Sequence, residues 1–196
     1  MTGPRLLGLI TLAVAAMCGL LLLIGSTQYD DAHLVIRWTA RTSFVMFALA
    51  YVARPACQLW PSRQTKTLLA YRKWIGLGFA VSHLFHLAGI LWLASPDPAA
   101  FVRSQSPVIL VAVVTFIAVF AMAITSITAI RKRMKHMTWR RLHQFGIHLA
   151  WVPFMSTYAL AIGTSIVFAI PTLILIVIAF IRFAAWRRGS MRANTG

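Results

Sequence analysis

Glutamate is absent from the sequence, and aspartate occurs only as Asp30, Asp31 and Asp97, none of them inside an apolar run. A metal ion held within those runs would find no embedded carboxylate. Cysteine is scarce too: Cys18 and Cys57 sit in different apolar segments without CxxC or Cys/His spacing. That excludes a disulfide framework and a thiolate metal site, and leaves both as buried thiols. There is no GxGxxG dinucleotide fingerprint, no internal repeat, no low-complexity tract and no CxxCH motif for covalent haem.

Apolar residues and cations are what remain. A chain of 196 residues that is 60% hydrophobic cannot hide that much apolar surface in one soluble core, so a bilayer is its natural solvent. Six segments approach the ~20 apolar residues needed to cross ~30 Å of hydrocarbon, at about 6–26, 42–60, 74–94, 107–130, 142–163 and 165–185. The first is longer than a signal-peptide core and reads as a retained helix. The expected fold is an all-α integral membrane protein, one six-helix bundle over residues 1–196 with no separate soluble domain.

Of the 19 Lys and Arg, all but Arg37, Arg41 and Arg103 fall on one side if six helices alternate. Short cytoplasmic loops carry the Lys and Arg excess, so both termini are expected in the cytoplasm. Trp38, Trp60, Trp74, Trp92, Trp139 and Trp186 lie near the span ends, where amphipathic rings favour the headgroup zone. The positive charge then matches anionic lipid and calls for no nucleic-acid partner.

Against this background the stretch AVSHLFHLAGI stands out, because it keeps His83 and His86 in the middle of the third span. An ionisable side chain inside hydrocarbon is costly and by default marks a functional site. A spacing of three leaves the two about 60° apart on one helix face. The fifth span adds His143 and His148, about 140° apart. Neutral imidazoles facing each other across a helical bundle suit haem ligation, whereas tetrahedral zinc would seek Cys or carboxylate help. In depth, His83 and His148 differ by about 4.5 Å, and His86 and His143 by about 16 Å.

The segments RTSFVMFALAYVARP, YRKWIGLGFAVSHLFHLAGI and ITAIRKRM with TWRRLHQFGIHLAW resemble the ferric-reductase-like transmembrane domain family, over about residues 39 to 160. They are closest in kind to its small bacterial branch, which includes the haem-binding membrane subunit of the periplasmic methionine sulfoxide reductase system. The marks are Arg72, Lys73, Gly76 and Leu77 leading to His86, and Trp139 and Leu142 leading to His143. The resemblance implies a multi-pass b-type cytochrome of the bacterial inner membrane. It would pass electrons from a cytoplasmic or quinol donor to an external acceptor or partner reductase. Haem b, one or two per chain, is the implied cofactor, with a quinone or a partner's flavin beside it. Matching positions carry the iron-ligand role onto His86 and His143. Members commonly carry a second histidine thirteen residues after the latter, where this chain has Ser156, so His148 and His83 stay in the candidate set.

Arg41, two residues after Thr39, matches the family's Thr-x-Arg-Thr lead into its second helix, where a cation could pair with haem propionates; simple snorkelling is the alternative. Arg54 reads as a snorkelling residue. Trp151, Phe154 and Tyr158 recur at helical spacing, either as helix packing or as the lining of a haem or quinone pocket. Pro153 and Pro171 are candidate kinks, and His33 and His136 are loop or interfacial residues. The basic run at 131–141 signals orientation or docks a soluble reductase. The chain is too short for a complete ferric reductase of the large kind. The competing functional class is a haem or metal transporter, or a membrane-embedded binding scaffold, without redox turnover.

Overall fold

The computed structural model describes residues 2–105 and 109–194, with side chains through residue 190. Among the described residues it is helical throughout, with no strand. Its helices are α1 (Gly3–Leu21), α2 (Gln28–Leu59), α3 (Arg63–Ala94), α4 (Pro98–Gln105), α5 (Ile109–Thr125), α6 (Thr128–Arg133), α7 (His136–Ala161) and α8 (Ala169–Asn194). A short 3-10 turn at Ile166–Phe168 leads into α8. The expected start of the fourth span at residue 107 lies outside the described residues, as does the side chain of Arg192.

Several helices run past their apolar stretches, because capping rather than hydropathy sets their ends. α2 begins at Gln28, well before the apolar stretch at 42–60, because Thr27 caps it by accepting from the Asp30 N–H at 3.2 Å. Asp30 in turn accepts from the Thr27 and Ser26 hydroxyls at 2.7 and 2.9 Å. Those two bonds, Thr27's first, hold its carboxyl below the usual carboxylate range. Asp30 and Asp31 also place negative charge at the positive end of the helix dipole. α3 begins at Arg63 through a capping box in which Ser62 and Thr65 satisfy each other's backbone N–H groups.

The stretch 107–130 is not one helix. The Thr125 hydroxyl donates to Ala121 C=O at 2.7 Å and that of Ser126 to Met122 C=O at 2.8 Å. Such back-bonding weakens a helix end, and the chain turns into the separate α6. Pro171 lies in the first turn of α8, where the missing N–H would have had no partner in any case. Pro153 sits inside α7, which continues through it.

Three helical stretches are by length and apolarity able to cross a membrane: α1, α3 and Ile166–Ser190; α4 with α5 makes a fourth if the two form one broken span. α2 and α7, at 32 and 26 residues, have the length but interleave Arg and His among their apolar residues. α2 and α3 form the most extensive pair, α1 lies on α3, α5 on α7, and α8 on α2 and α7. The core where they meet is aromatic and aliphatic, built on Phe44, Phe47, Tyr51, Phe79, Val119 and Leu175. Close approach relies on glycine at several places, Gly89 of α3 and Gly146 of α7 among them. A Cβ on Gly89 would stand 3.0 Å from Ile36 and 3.2 Å from Val35 of α2, and one on Gly146 would meet Met122 of α5 at 2.7 Å. Small residues at such contacts let helix backbones come together in a bilayer, where apolar burial gives little driving force.

Candidate functional site

The close α2–α3 contact carries a seam of polar groups that begins with Thr39, Ser43 and Ser82, all at 0% exposure, and His83 at 9%. Their donors can be followed in one direction. Ser82 donates to Thr39 C=O at 3.1 Å, and Ser43 donates to the Ser82 oxygen at 3.0 Å. The Ser43 hydrogen is thus used, so its oxygen receives the Nδ1–H of His83 at 3.3 Å.

His86 is fixed in the same sense. Its Nδ1 stands 3.0 Å from Ile36 C=O, which can only accept, and 3.2 Å from the Thr39 hydroxyl, whose own hydrogen goes to α2 carbonyls. Both imidazoles therefore carry the proton on Nδ1 and keep a lone pair on Nε2, the state in which a neutral histidine binds a metal. Their rings stack, with centroids 5.5 Å apart and planes at 23°, and Phe116 of α5 lies 4.9 Å from the His83 ring.

The two α7 histidines belong to a second group. His148 meets the Tyr51 hydroxyl through Nδ1 at 3.3 Å. His143 is tied through its other nitrogen: the Thr125 hydroxyl already donates to Ala121 C=O, so it accepts the Nε2–H of His143 at 3.1 Å. His143 and His148 line an open cavity of about 1300 Å³ bordered by α2, α3, α5, α6, α7 and α8, whereas His83 and His86 do not. Phe79 faces both groups: it lines the cavity and lies 4.8 Å from His83. Phe154 of α7 meets it at 6.2 Å and Phe47 at 5.1 Å, and lies 6.2 Å from the His83 ring, so an aromatic cluster stands beside that histidine. Among the described residues no three His, Cys, Asp or Glu side chains cluster to hold a metal ion among themselves.

Residues 38–154, more than half of the chain, match the model of the ferric reductase like transmembrane component. The chain belongs to the ferric-reductase-like transmembrane family. No curated protein and no solved structure matches it. Membership makes membrane electron transfer the functional class of this chain, and such domains typically bind haem. The matched span contains all four embedded histidines. The ferric-reductase-like helix α7 carries Ser156 as an exposed residue whose hydroxyl bonds its own helix at Pro153 C=O, 3.1 Å away.

The residues fit haem in their donor chemistry, because His83 and His86 offer Nε2 lone pairs on rings already oriented through Nδ1. Arg41 lies over the Trp38 ring at 4.8 Å, an interfacial cation–π contact. Trp151 donates from Nε1 to Leu175 C=O of α8 at 3.2 Å and also lines the cavity, and Tyr158 packs on Phe44 at 5.0 Å. His33 and His136 lie inside helices rather than loops, against Tyr29 at 4.2 Å and Trp139 at 6.4 Å.

Sequence reasoning missed the cations of the cavity wall. Arg54, Arg72, Lys73, Arg131, Lys132, Arg140 and Arg182 all line it, with no acidic residue among them. One signal was available. Pro55 lacks an N–H, so the carbonyl four residues earlier, that of Tyr51, loses its helical partner. Arg182 supplies the replacement, donating from Nη1 to Tyr51 C=O at 3.1 Å with its guanidinium 4.6 Å above the Tyr51 ring. Arg72 donates from Nε to the neighbouring Ala50 C=O at 3.1 Å.

Proposed function

We propose that this chain is a b-type cytochrome-like membrane subunit that transfers electrons across the bilayer through haem held by histidines of α3 and α7. It would work in a bacterial inner membrane with six spans and both termini in the cytoplasm, like the small branch that serves methionine sulfoxide reductase. The donor would be a cytoplasmic reductase, its flavin, or a quinol; the acceptor would be an external partner or reductase.

The observation that carries this reading is the clamp on His86. Ile36 C=O and the Thr39 hydroxyl take up its Nδ1–H, leaving Nε2 as a ligand atom in an apolar helix. His83 is prepared in the same way by Ser43 and stands as the neighbouring ligand or pocket residue. On α7, His148 has its Nε2 uncommitted, whereas His143 must first release Thr125 to present the same atom. Haem, when bound, supplies a one-electron iron couple. The chain's own contribution is to orient the imidazoles, to keep water from them with Phe79, Phe116 and Phe154, and to offer Arg41 at the far interface as a propionate partner.

An optical spectrum of the purified protein, before and after dithionite, tests this. The expected result is a reduced alpha band of six-coordinate low-spin b-type haem. A well-folded, haem-free protein from haem-replete cells would instead favour the transporter or scaffold reading.

A further inference from the structure

The cations that wall the large cavity have nothing in the protein to neutralise them. The only acids in the chain, Asp30, Asp31 and Asp97, lie at the start of α2 and just before α4, and none lines the cavity. Two of the cations are also built into place from two different helices, with Arg54 of a third helix beside them. Arg182 of α8 is anchored on Tyr51 C=O, the carbonyl that Pro55 leaves open, and Arg72 of α3 on Ala50 C=O beside it. Arg54 stands one turn beyond Ala50 on α2 and lies within electrostatic reach of both. Each anchor uses one N–H of a guanidinium that has five, so Arg72 keeps its terminal nitrogens and Arg182 keeps Nη2 and Nε for something else. Like charges held together in this way, with no carboxylate near, form a receptor for an oxyanion.

Part of the same cavity's lining is apolar and exposed. Leu69 of α3 is 37% exposed, and Phe183 and Trp186 of α8 are 51% and 66% exposed. On a membrane helix, surface of that kind meets lipid tails and the headgroup zone. Cations beside exposed apolar side chains of the same cavity match one class of ligand, an amphiphile with an anionic head.

We propose that Arg54, Arg72 and Arg182 bind the phosphate of an anionic phospholipid taken from the leaflet on the cation-rich side, with Phe183, Trp186 and Leu69 against its acyl chains. The site is independent of haem ligation, and free phosphate is the competing source of the same oxyanion.

The test uses the full-length protein in mixed micelles of phosphatidylglycerol and phosphatidylcholine, with lipid retention read by native mass spectrometry and haem content measured in parallel. Wild type should retain phosphatidylglycerol over phosphatidylcholine. Arg72→Gln and Arg182→Gln should each weaken retention about fivefold or more, the fold-change that corresponds to ~1 kcal/mol per cation at an anionic surface. Arg133→Gln and Arg187→Gln, exposed cations outside the cavity, should leave it unchanged. Equal retention of both lipids by wild type overturns the proposal even if the arginine variants fail to fold. Loss of the lipid on adding inorganic phosphate alone would reassign the site to a soluble anion, and retention confined to haem-free protein would reassign the arginines to haem propionates.

Discussion

Replacing Ser43 by Ala removes the middle hydroxyl of the relay that runs from His83 Nδ1–H through Ser43 and Ser82 to Thr39 C=O. Two hydrogen bonds go with it, at 3.3 and 3.0 Å. No water takes their place, because Ser43 and Ser82 are at 0% exposure and His83 at 9%. A buried donor left without a partner costs about 1–3 kcal/mol in water-soluble proteins, while hydrogen bonds between membrane helices average about 0.6 kcal/mol. The lost oxygen is smaller than a methyl group, so packing adds little. Two such bonds therefore set the expected loss at about 1–2 kcal/mol. Unfolding of the purified protein in mixed micelles, followed by helical circular dichroism, measures it. Ser156→Ala is the reference, since that exposed hydroxyl bonds only its own helix, and it should stay within about 0.5 kcal/mol of wild type. Ser43→Ala and Ser156→Ala giving the same stability would refute the buried relay, and with it the protonation assigned to His83.

Three further outcomes follow from the same geometry. Gly89→Val drives its side chain into Ile36 and Val35, which already stand 3.0 and 3.2 Å from a Cβ at that position. It should cost about 1–3 kcal/mol by overpacking and shift the haem spectrum by moving His86 off Ile36, whereas Gly8→Ala, with nothing within 4 Å, should be neutral. Among the histidines, His86→Ala should abolish low-spin haem and His83→Ala weaken or shift it. His148→Ala should be more severe than His143→Ala, and full haem content in all four variants would overturn the ligation scheme. Reporter fusions should read the C-terminus as cytoplasmic and the 96–106 loop as external; the reverse would break the six-span parity.

The sequence made the histidine pair of α3 legible because a three-residue spacing on a helix has only one geometric consequence, and the rings do stack. Helix ends were less legible. Hydropathy sees where the hydrocarbon would be, but the ends of α2 and α3 are fixed by Thr27 and Ser62. The second cap uses Thr65 where the usual pattern has Glu or Gln, so it passes unnoticed. The partners of the histidines were hidden for another reason. Ile36, Ser43, Tyr51 and Thr125 are far from them in the chain and are brought up only by packing. Arg72 and Arg182 counted as orientation charges because a cation near a span end reads alike whether it faces lipid headgroups or a cavity between helices. Only Pro55, four residues after Tyr51, hinted that a carbonyl there needed a donor.

Transmembrane electron transfer itself is tested most directly in sealed liposomes that contain the haem-loaded protein and enclose ferricyanide, with dithionite added outside. The account predicts that enclosed ferricyanide is reduced much faster than in protein-free liposomes, and that His86→Ala removes the difference. Protein haem that becomes reduced while the enclosed ferricyanide decays no faster than in empty liposomes would contradict it.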